Sequence, residues 1–288
     1  MTAVLHIATC RPLPEPDPDE ALLLTALEAV GVEARMVAWN DPDAWQGGDA
    51  LIRSTWDYVH HLDQFLKWID RVAALGRLWN PAPVLRRNVH KRYLLELAAA
   101  GVAVTPTALV PRGATDSLRT LAAARGWRDV VLKPAVGAGS FDTHRVRDAA
   151  TPEAQALFAR LVGERESLVQ PYLDSVDDHG ERALVWIDGE FTHAVRKTPR
   201  FAADDEQVSP ALPLAAAERA LGEHALEVAL RLAGVTAEDL LYARVDVAPD
   251  ATGRPVLMEL ELVEPSLFLL QSPQALQRFV AAIAARVT

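Results

Sequence analysis

The stretch 244–266, RVDVAPDATGRPVLMELELVEPS, constrains this chain more than any other. It reads as two apolar strands around a turn at Thr252-Gly253, yet Asp246, Glu259 and Glu261 stand inside the strand patterns. Side chains alternate between faces along a strand, and residues directly opposite each other share a face. With strands over 243–248 and 255–262 joined by a six-residue loop, Asp246 is expected to oppose Leu257. Glu259 and Glu261 then fall on the face of Asp246, and so does Arg244, two residues before it. Three carboxylates left alone on one face repel one another, and burial would force protonation. A divalent cation removes the conflict, and hard oxygen ligands suit Mg2+, with Mn2+ a second option. The bland alternative is a solvent-facing sheet surface carrying ordinary acids. On that view Arg244 is a cross-strand partner of a glutamate rather than a group that steadies a developing oxyanion.

With 288 residues, 50% of them hydrophobic, the chain has enough length for a sizeable core spread over two or three lobes. Its formal net charge is -10, which argues against a nucleic-acid partner, because neutralising phosphates needs basic surface. Any positive charge that meets a phosphorylated ligand must therefore be local. Cys10 is the single cysteine, so no intrachain disulfide forms, in keeping with a reducing compartment. MTAVLHIATC lacks a basic segment and a long apolar run, so no signal peptide is expected. No apolar run approaches a membrane span. A cytoplasmic protein without a membrane partner is the expectation, with a homodimer left open.

Strand and helix patterns alternate over the first 85 residues, predicting a parallel α/β unit, with Asp19 or a neighbour capping the first helix and Gly31 ending it. NVHKRYLLELAAAGV (88–102) predicts one helix with Lys91 just inside its start, where a helix N-terminus and a lysine together suit a phosphate. A solvated surface lysine is the plainer alternative. The strand–helix–strand order through residue 173 fits a small lid-like subdomain. From residue 174 on, strands with turns at Asp188-Gly189 and Thr252-Gly253 predict an antiparallel sheet, closed by a helix over SPQALQRFVAAIAARV. KPAVGAGS (133–140) is not a P-loop, since no Lys-Ser/Thr follows and it opens no helix. It reads as a hairpin loop whose small tip residues, Gly137, Gly139 and Ser140 among them, let backbone N–H groups approach phosphate oxygens, with Lys133 on the incoming strand. His193 precedes Lys197 on one strand pattern and could face the same site. His6 and Cys10 read as packed, and His60-His61 as a loop.

Taken in order, Lys91, VVLKP with Lys133, the small-residue loop, LVQPYL, ARVD and MELE resemble the ATP-grasp superfamily over about residues 85–265. The resemblance implies ATP held between two α+β subdomains behind an N-terminal pre-ATP-grasp α/β domain, with divisions at 1–85, 86–173 and 174–288. It implies that Lys91 and Lys133 touch the nucleotide, that Gln170 and the backbone around Tyr172 and Leu173 hold adenine, and that Glu181 binds ribose. An arginine usual two residues after that acid is Ala183 here, so its phosphate role passes to Arg182 or Lys197. Asp246 and Glu259 match the metal ligands, with Glu261 where asparagine is usual. Arg244 matches the arginine that stabilises an acyl phosphate, and Lys197 the base reaching the terminal phosphates. The acidic AADDEQ (202–207) matches a loop that closes over ATP.

Three stretches, IRSTWDY (52–58), WNPAPVLRRNVHK (79–91) and LMELELVEPSLFL (257–269), resemble one branch of that superfamily, the D-cycloserine synthetase type, whose reaction closes O-ureido-D-serine into a ring. By this resemblance the chain is an ADP-forming ligase: a small amino-acid-like carboxylate becomes an acyl phosphate and is joined to a nitrogen nucleophile. Arg53, Ser54, Thr55 and Asp57 follow the third predicted strand, and ligands meet the carboxyl ends of strands in an open α/β sheet. They are substrate candidates, as are Glu264 and Ser266 beyond the metal strand. Two other readings stay open at this point: a kinase of the same fold ending at a stable phosphate, and a nucleotide-binding protein without catalysis.

Overall fold

Period-two runs of Val, Ile and Leu divide the chain into three four-stranded sheets in the computed structural model, which describes residues 4–41, 43–198 and 207–287. The first sheet holds β1 (Leu5–Thr9), β2 (Ala34–Ala38), β3 (Asp49–Ser54) and β4 (Leu78–Trp79), all parallel in the order β2-β1-β3-β4. Its connections are α1 (Glu20–Ala29), a 3-10 turn (Trp56–His60) and α2 (Leu62–Leu75). Helix α2 buries Phe65, Trp68, Ile69 and Val72, the one-face spacing of an amphipathic helix. Asp19 does not cap α1 with its side chain. Its carboxylate instead accepts from the backbone N–H groups of Leu269 and Leu270, at 3.2 and 3.1 Å, so it ties this unit to the C-terminal segment.

The second sheet contains β5 (Ala108–Val110), β6 (Val130–Pro134), β7 (His144–Val146) and β8 (Ser167–Pro171), antiparallel in the order β5-β8-β6-β7. Helices α5 (Leu118–Ala123) and α6 (Pro152–Glu164) cover it, and Ser117 and Thr151 cap them by accepting from the N–H groups of Thr120 and Ala154. Two short helices, α3 (Ala82–Asn88) and α4 (Tyr93–Ala99), precede this sheet. The single helix expected over 88–102 is thus broken, and Lys91 lies in the turn between α3 and α4. The break has a visible cause. The Lys91 N–H donates to the Ala135 carbonyl (2.7 Å), and the Asn88 amide bonds to main chain at Leu260 and Leu262 (2.8 and 2.7 Å). The first takes the Lys91 N–H out of the helical ladder, and the second anchors the end of α3 to the edge of β12.

The third sheet, in the order β10-β9-β11-β12, is antiparallel: β9 (Glu181–Ile187), β10 (Glu190–Lys197), β11 (Tyr242–Pro249) and β12 (Pro255–Glu261). The β9–β10 turn places Asp188 and Gly189 at φ 46° and 97°, the left-handed pair that a tight two-residue hairpin uses. Helix α7 (Ser175–His179) precedes β9, α8 (Ala216–Ala233) packs on one face, and α9 (Pro273–Arg286) closes the chain. Leu94 and Leu97 of α4 share a core with Leu226 and Leu230 of α8 and with Val245, Val247, Leu257 and Leu260. Most of AADDEQ lies outside the described residues. Among those described, no helix is long and apolar enough to cross a membrane.

Candidate active site

The acid-bearing hairpin does not pair as a regular ladder. Val247 opposes Leu257, but Asp246 opposes Glu259 and Arg244 opposes Glu261, because the register shifts by one at Met258. The expected Asp246–Leu257 pairing is therefore corrected to Asp246–Glu259. Had the Val247–Leu257 register continued, Glu259 would oppose Val245 and share its core-facing side. The irregularity at Met258 turns both glutamates onto the face of Arg244 and Asp246, while Leu257 and Leu260 stay in the core.

Neighbouring elements hold this strand pair in place. On one flank, β9 sets Ala183 opposite Asp246, leaving room beside the carboxylate. On the other, β12 is the last strand of its sheet, and its outward groups are met by the main chain of Ala103 and Thr105 at Leu257 and by side chains beyond it. Asn88 Nδ2 donates to the Leu260 carbonyl, the Leu262 N–H donates to Asn88 Oδ1, and the Leu260 N–H donates to Tyr93 Oη at 3.1 Å. The edge that carries Glu259 and Glu261 is thereby closed to slippage.

Over this face lies a cavity of about 550 Å3, lined by residues of the second and third sheets and of the loops that follow β1 and β3 of the first. Among the described residues, four cations enter it. Lys91 and Lys133 both reach Glu259, at 2.7 and 2.6 Å. Lys197 bridges Glu181 (2.6 Å) and Asp246 (2.8 Å). Arg244 grips both oxygens of Asp246 at 2.8 Å and also bonds to Glu261. Asp246 is only 1% exposed. Burial alone would raise its pKa, but Arg244 and Lys197 more than offset that and hold it well below the usual carboxylate range. Lys133 and Lys91 do the same for Glu259. Glu181, between Lys197 and Asp246, is raised by burial to about 7. Glu261 is raised too, by burial and by the nearby charges of Asp246 and Glu259.

The three carboxylates thus share a face, but each is neutralised by a cation. Among the described residues no group of three or more Asp, Glu, His or Cys stands together as a metal cage. The donor set still fits Mg2+: it is all oxygen, and its present partners are lysines and an arginine that phosphate oxygens could draw away.

The rest of the cavity wall matches several expected positions. Gly137, Gly139 and Ser140 line it, with Gly139 and Ser140 at φ 55° and 60°. So do Gln170, Tyr172, Leu173 and Glu181. Gln170 donates to Thr107 (2.9 Å), while Arg145 lies 3.4 Å from the Tyr172 ring centre and Tyr172 donates to Asp177. Asp57, Glu264 and Ser266 also face the cavity. Arg53, Ser54 and Thr55 do not line it. They are buried behind its wall, where Arg53 donates to the Pro265 carbonyl (2.9 Å) and Ser54 bonds to Thr9. Asp57 accepts from Trp39 at 2.6 Å. Arg182 points away, into Glu218 (2.9 Å) and the Pro213 carbonyl, so of the two bases considered for the missing arginine only Lys197 reaches the site. His193 is buried but does not line the cavity.

Sequence reasoning missed Asn88, Tyr93 and Thr105, which also line the cavity, and the contact between Phe141 beyond the glycine loop and His60 of the 3-10 turn, with ring centres 4.8 Å apart. No local signal marks them. The Asn88–Leu260 bond spans 172 positions of chain.

Comparison with known proteins bears on this geometry. A family model described as the N-terminal domain of D-cycloserine synthetase DcsG matches residues 5–80. The chain is 36% identical over 282 residues, 94% of each chain, to the cycloserine biosynthesis protein DcsG of Streptomyces lavendulae. It superposes on the crystal structure of D-cycloserine synthetase DcsG with a TM-score of 0.88 and 34% identity, over 99% of this chain and 100% of that one. At the level of fold alone, it resembles the ATP-grasp ligase PsnB complexed with a minimal precursor, with a TM-score of 0.65 and 16% identity over 100% of both chains.

Proposed function

Since the chain belongs to the D-cycloserine synthetase family of ATP-grasp enzymes and is an ADP-forming C–N ligase, we propose that it activates an amino-acid-like carboxylate in the cavity over β11 and β12 and closes it onto a nitrogen, as in D-cycloserine formation. The observation that carries this reading is the set of exchangeable ion pairs: Lys91 and Lys133 on Glu259, and Lys197 and Arg244 on Asp246. A triphosphate offers those cations a stronger set of anions. With those cations drawn to phosphate, Glu259, Asp246 and Glu261 are the residues that would hold Mg2+, or Mn2+. A metal held there would supply charge neutralisation during phosphoryl transfer.

The residues then divide by place. Gln170 and the main chain at Tyr172 and Leu173 hold adenine, Glu181 the ribose, and the loop with Gly137, Gly139 and Ser140 covers the phosphates. The substrate carboxylate attacks the γ-phosphorus, and ADP leaves. A nitrogen attacks the resulting acyl carbon, forming the C–N bond and releasing phosphate. Arg244 sits where it can stabilise the oxyanion of that step, with Lys197 on the transferred phosphoryl group. Positioning and electrostatics do this work without a protein nucleophile. Asp57, Glu264 and Ser266 face the substrate, while Arg53, Ser54 and Thr55 support the wall from behind. The division at residues 85 and 173 belongs to this reading, with nucleotide between the second and third units.

The test is release of ADP and phosphate from ATP and Mg2+ with pooled D- and L-amino acids including O-ureido-D-serine. Substrate-dependent release of both supports the ligase. ADP with a stable phosphorylated product and no free phosphate would favour a kinase, and no substrate-dependent ADP would contradict both.

A further inference from the structure

Glu264 differs from every other carboxylate at the phosphate end of the cavity. Glu181, Asp246, Glu259 and Glu261 each pair with a lysine or arginine within 4.0 Å, and among the described residues Glu264 pairs with none. It is 9% exposed, lines the cavity and takes a hydrogen bond from Tyr58. The main chain from Glu264 to Ser266 is fixed: Trp56 donates to the Glu264 carbonyl (3.2 Å), Arg53 to that of Pro265 (2.9 Å) and Arg244 to that of Ser266 (3.3 Å). Three donors thus hold the main chain under a carboxylate that makes no ion pair within 4.0 Å among the described residues, beside the aromatic rings of Trp56 and Tyr58. A buried charge without a counter-charge is unfavourable, so a site built this way is completed by a cation from outside.

Resting on the ligase reading above, we propose that Glu264 receives the ammonium group of the substrate, so that the enzyme takes carboxylates bearing a free protonated amine. An α-amino acid places its ammonium next to the carboxylate that must meet Arg244. Glu264 stands three residues past Glu261, the Arg244 partner, and both line the same cavity. A compact ammonium with several donors can satisfy the carboxylate while lying against the aromatic rings. Without such a partner, burial and the Glu261 charge push the Glu264 carboxyl up to about 8.

The experiment compares O-ureido-D-serine with its Nα-acetyl derivative, which carries no ammonium, as substrates for ATP-dependent ADP release by wild type, Glu264→Gln and Glu264→Asp. Wild type is expected to favour the free amine by about 100-fold in kcat/KM, the scale of a buried charge-paired contact. In Glu264→Gln, which keeps the side-chain shape and an acceptor for Tyr58, the KM for the amine should rise and the preference fall below about 10-fold. The KM for ATP should stay within about a factor of two, which also shows that the fold is intact. Glu264→Asp should recover part of the preference. A preference unchanged in Glu264→Gln overturns this assignment alone. A wild type that turns over neither compound overturns both the assignment and the ligase reading beneath it.

Discussion

Glu259 accepts from Lys91 at 2.7 Å and from Lys133 at 2.6 Å, joining β12 to the α3–α4 turn and to β6 through one carboxylate. Two lysines on one acid form an arrangement that a triphosphate can take over. Burial alone would lower the pKa of Lys91, and Glu259 reverses the direction. In the ligase reading both lysines move to phosphate oxygens when ATP binds. Lys133→Met should therefore raise the KM for ATP by about 10- to 100-fold, with a smaller effect on the KM for the carboxylate. Steady-state kinetics with each substrate varied in turn checks this. An unchanged KM for ATP would remove Lys133 from the nucleotide site.

Asn80 is fully buried and joins the first unit to the third. Its Nδ2 donates to the carbonyls of Tyr242 and Leu262, and its Oδ1 accepts from the Leu241 N–H, each at 2.8 Å. Asn80→Leu leaves these main-chain groups unsatisfied and should destabilise the protein by about 2–4 kcal/mol. Urea unfolding measures this, and a loss below about 1 kcal/mol would show that the three groups find other partners.

His193 sets a pH dependence. Its Nε2 is buried with no partner among the described residues, and burial lowers its pKa from 6.5 to about 4. The unfolded chain binds the proton more tightly than the native one, so stability is complete above about pH 6.5 and declines as pH falls toward 4. Between pH 7 and 4.5 this group should remove on the order of 2 kcal/mol. Glu264, raised to about 8, acts in the opposite direction over its own range, from the ordinary carboxylate value up to there. Its contribution is common to both proteins and cancels when wild type is compared with His193→Gln. The difference in unfolding free energy between the two should shrink on acidification. A difference that does not vary with pH would refute the assignment.

Much of this site is legible in RVDVAPDATGRPVLMELELVEPS, but by a route that needed correction. Alternation put Arg244, Asp246, Glu259 and Glu261 on one face, which is where they lie. The regular register used to reach that result is off by one residue from Pro249 to Val247 and by two from Asp246 to Arg244, and the shift at Met258 is what makes the faces agree. Bulges depend on what the strand packs against, so period-two reasoning does not foresee them. The broken helix at Lys91 is hidden for a similar reason: the Lys91 N–H is taken by the Ala135 carbonyl and the Asn88 side chain by β12, contacts remote in sequence. The rule for strand ends in an open α/β sheet points Arg53, Ser54 and Thr55 toward substrate, whereas burial makes them supports behind the wall. The pairing of each acid with its own cation was not legible at all. It requires Lys91, Lys133 and Lys197, from three separate elements, to converge on one hairpin.

The role of the acid face is tested most directly by substrate-dependent ADP release in Glu259→Gln. The variant keeps the shape of the side chain but removes the charge that two lysines share and that a metal ion would use. Turnover should fall by at least about 100-fold, the scale on which removing one electrostatic group from an active site acts, with the thermal unfolding transition still cooperative. Turnover within about a factor of two of wild type, in a folded protein, would contradict the account.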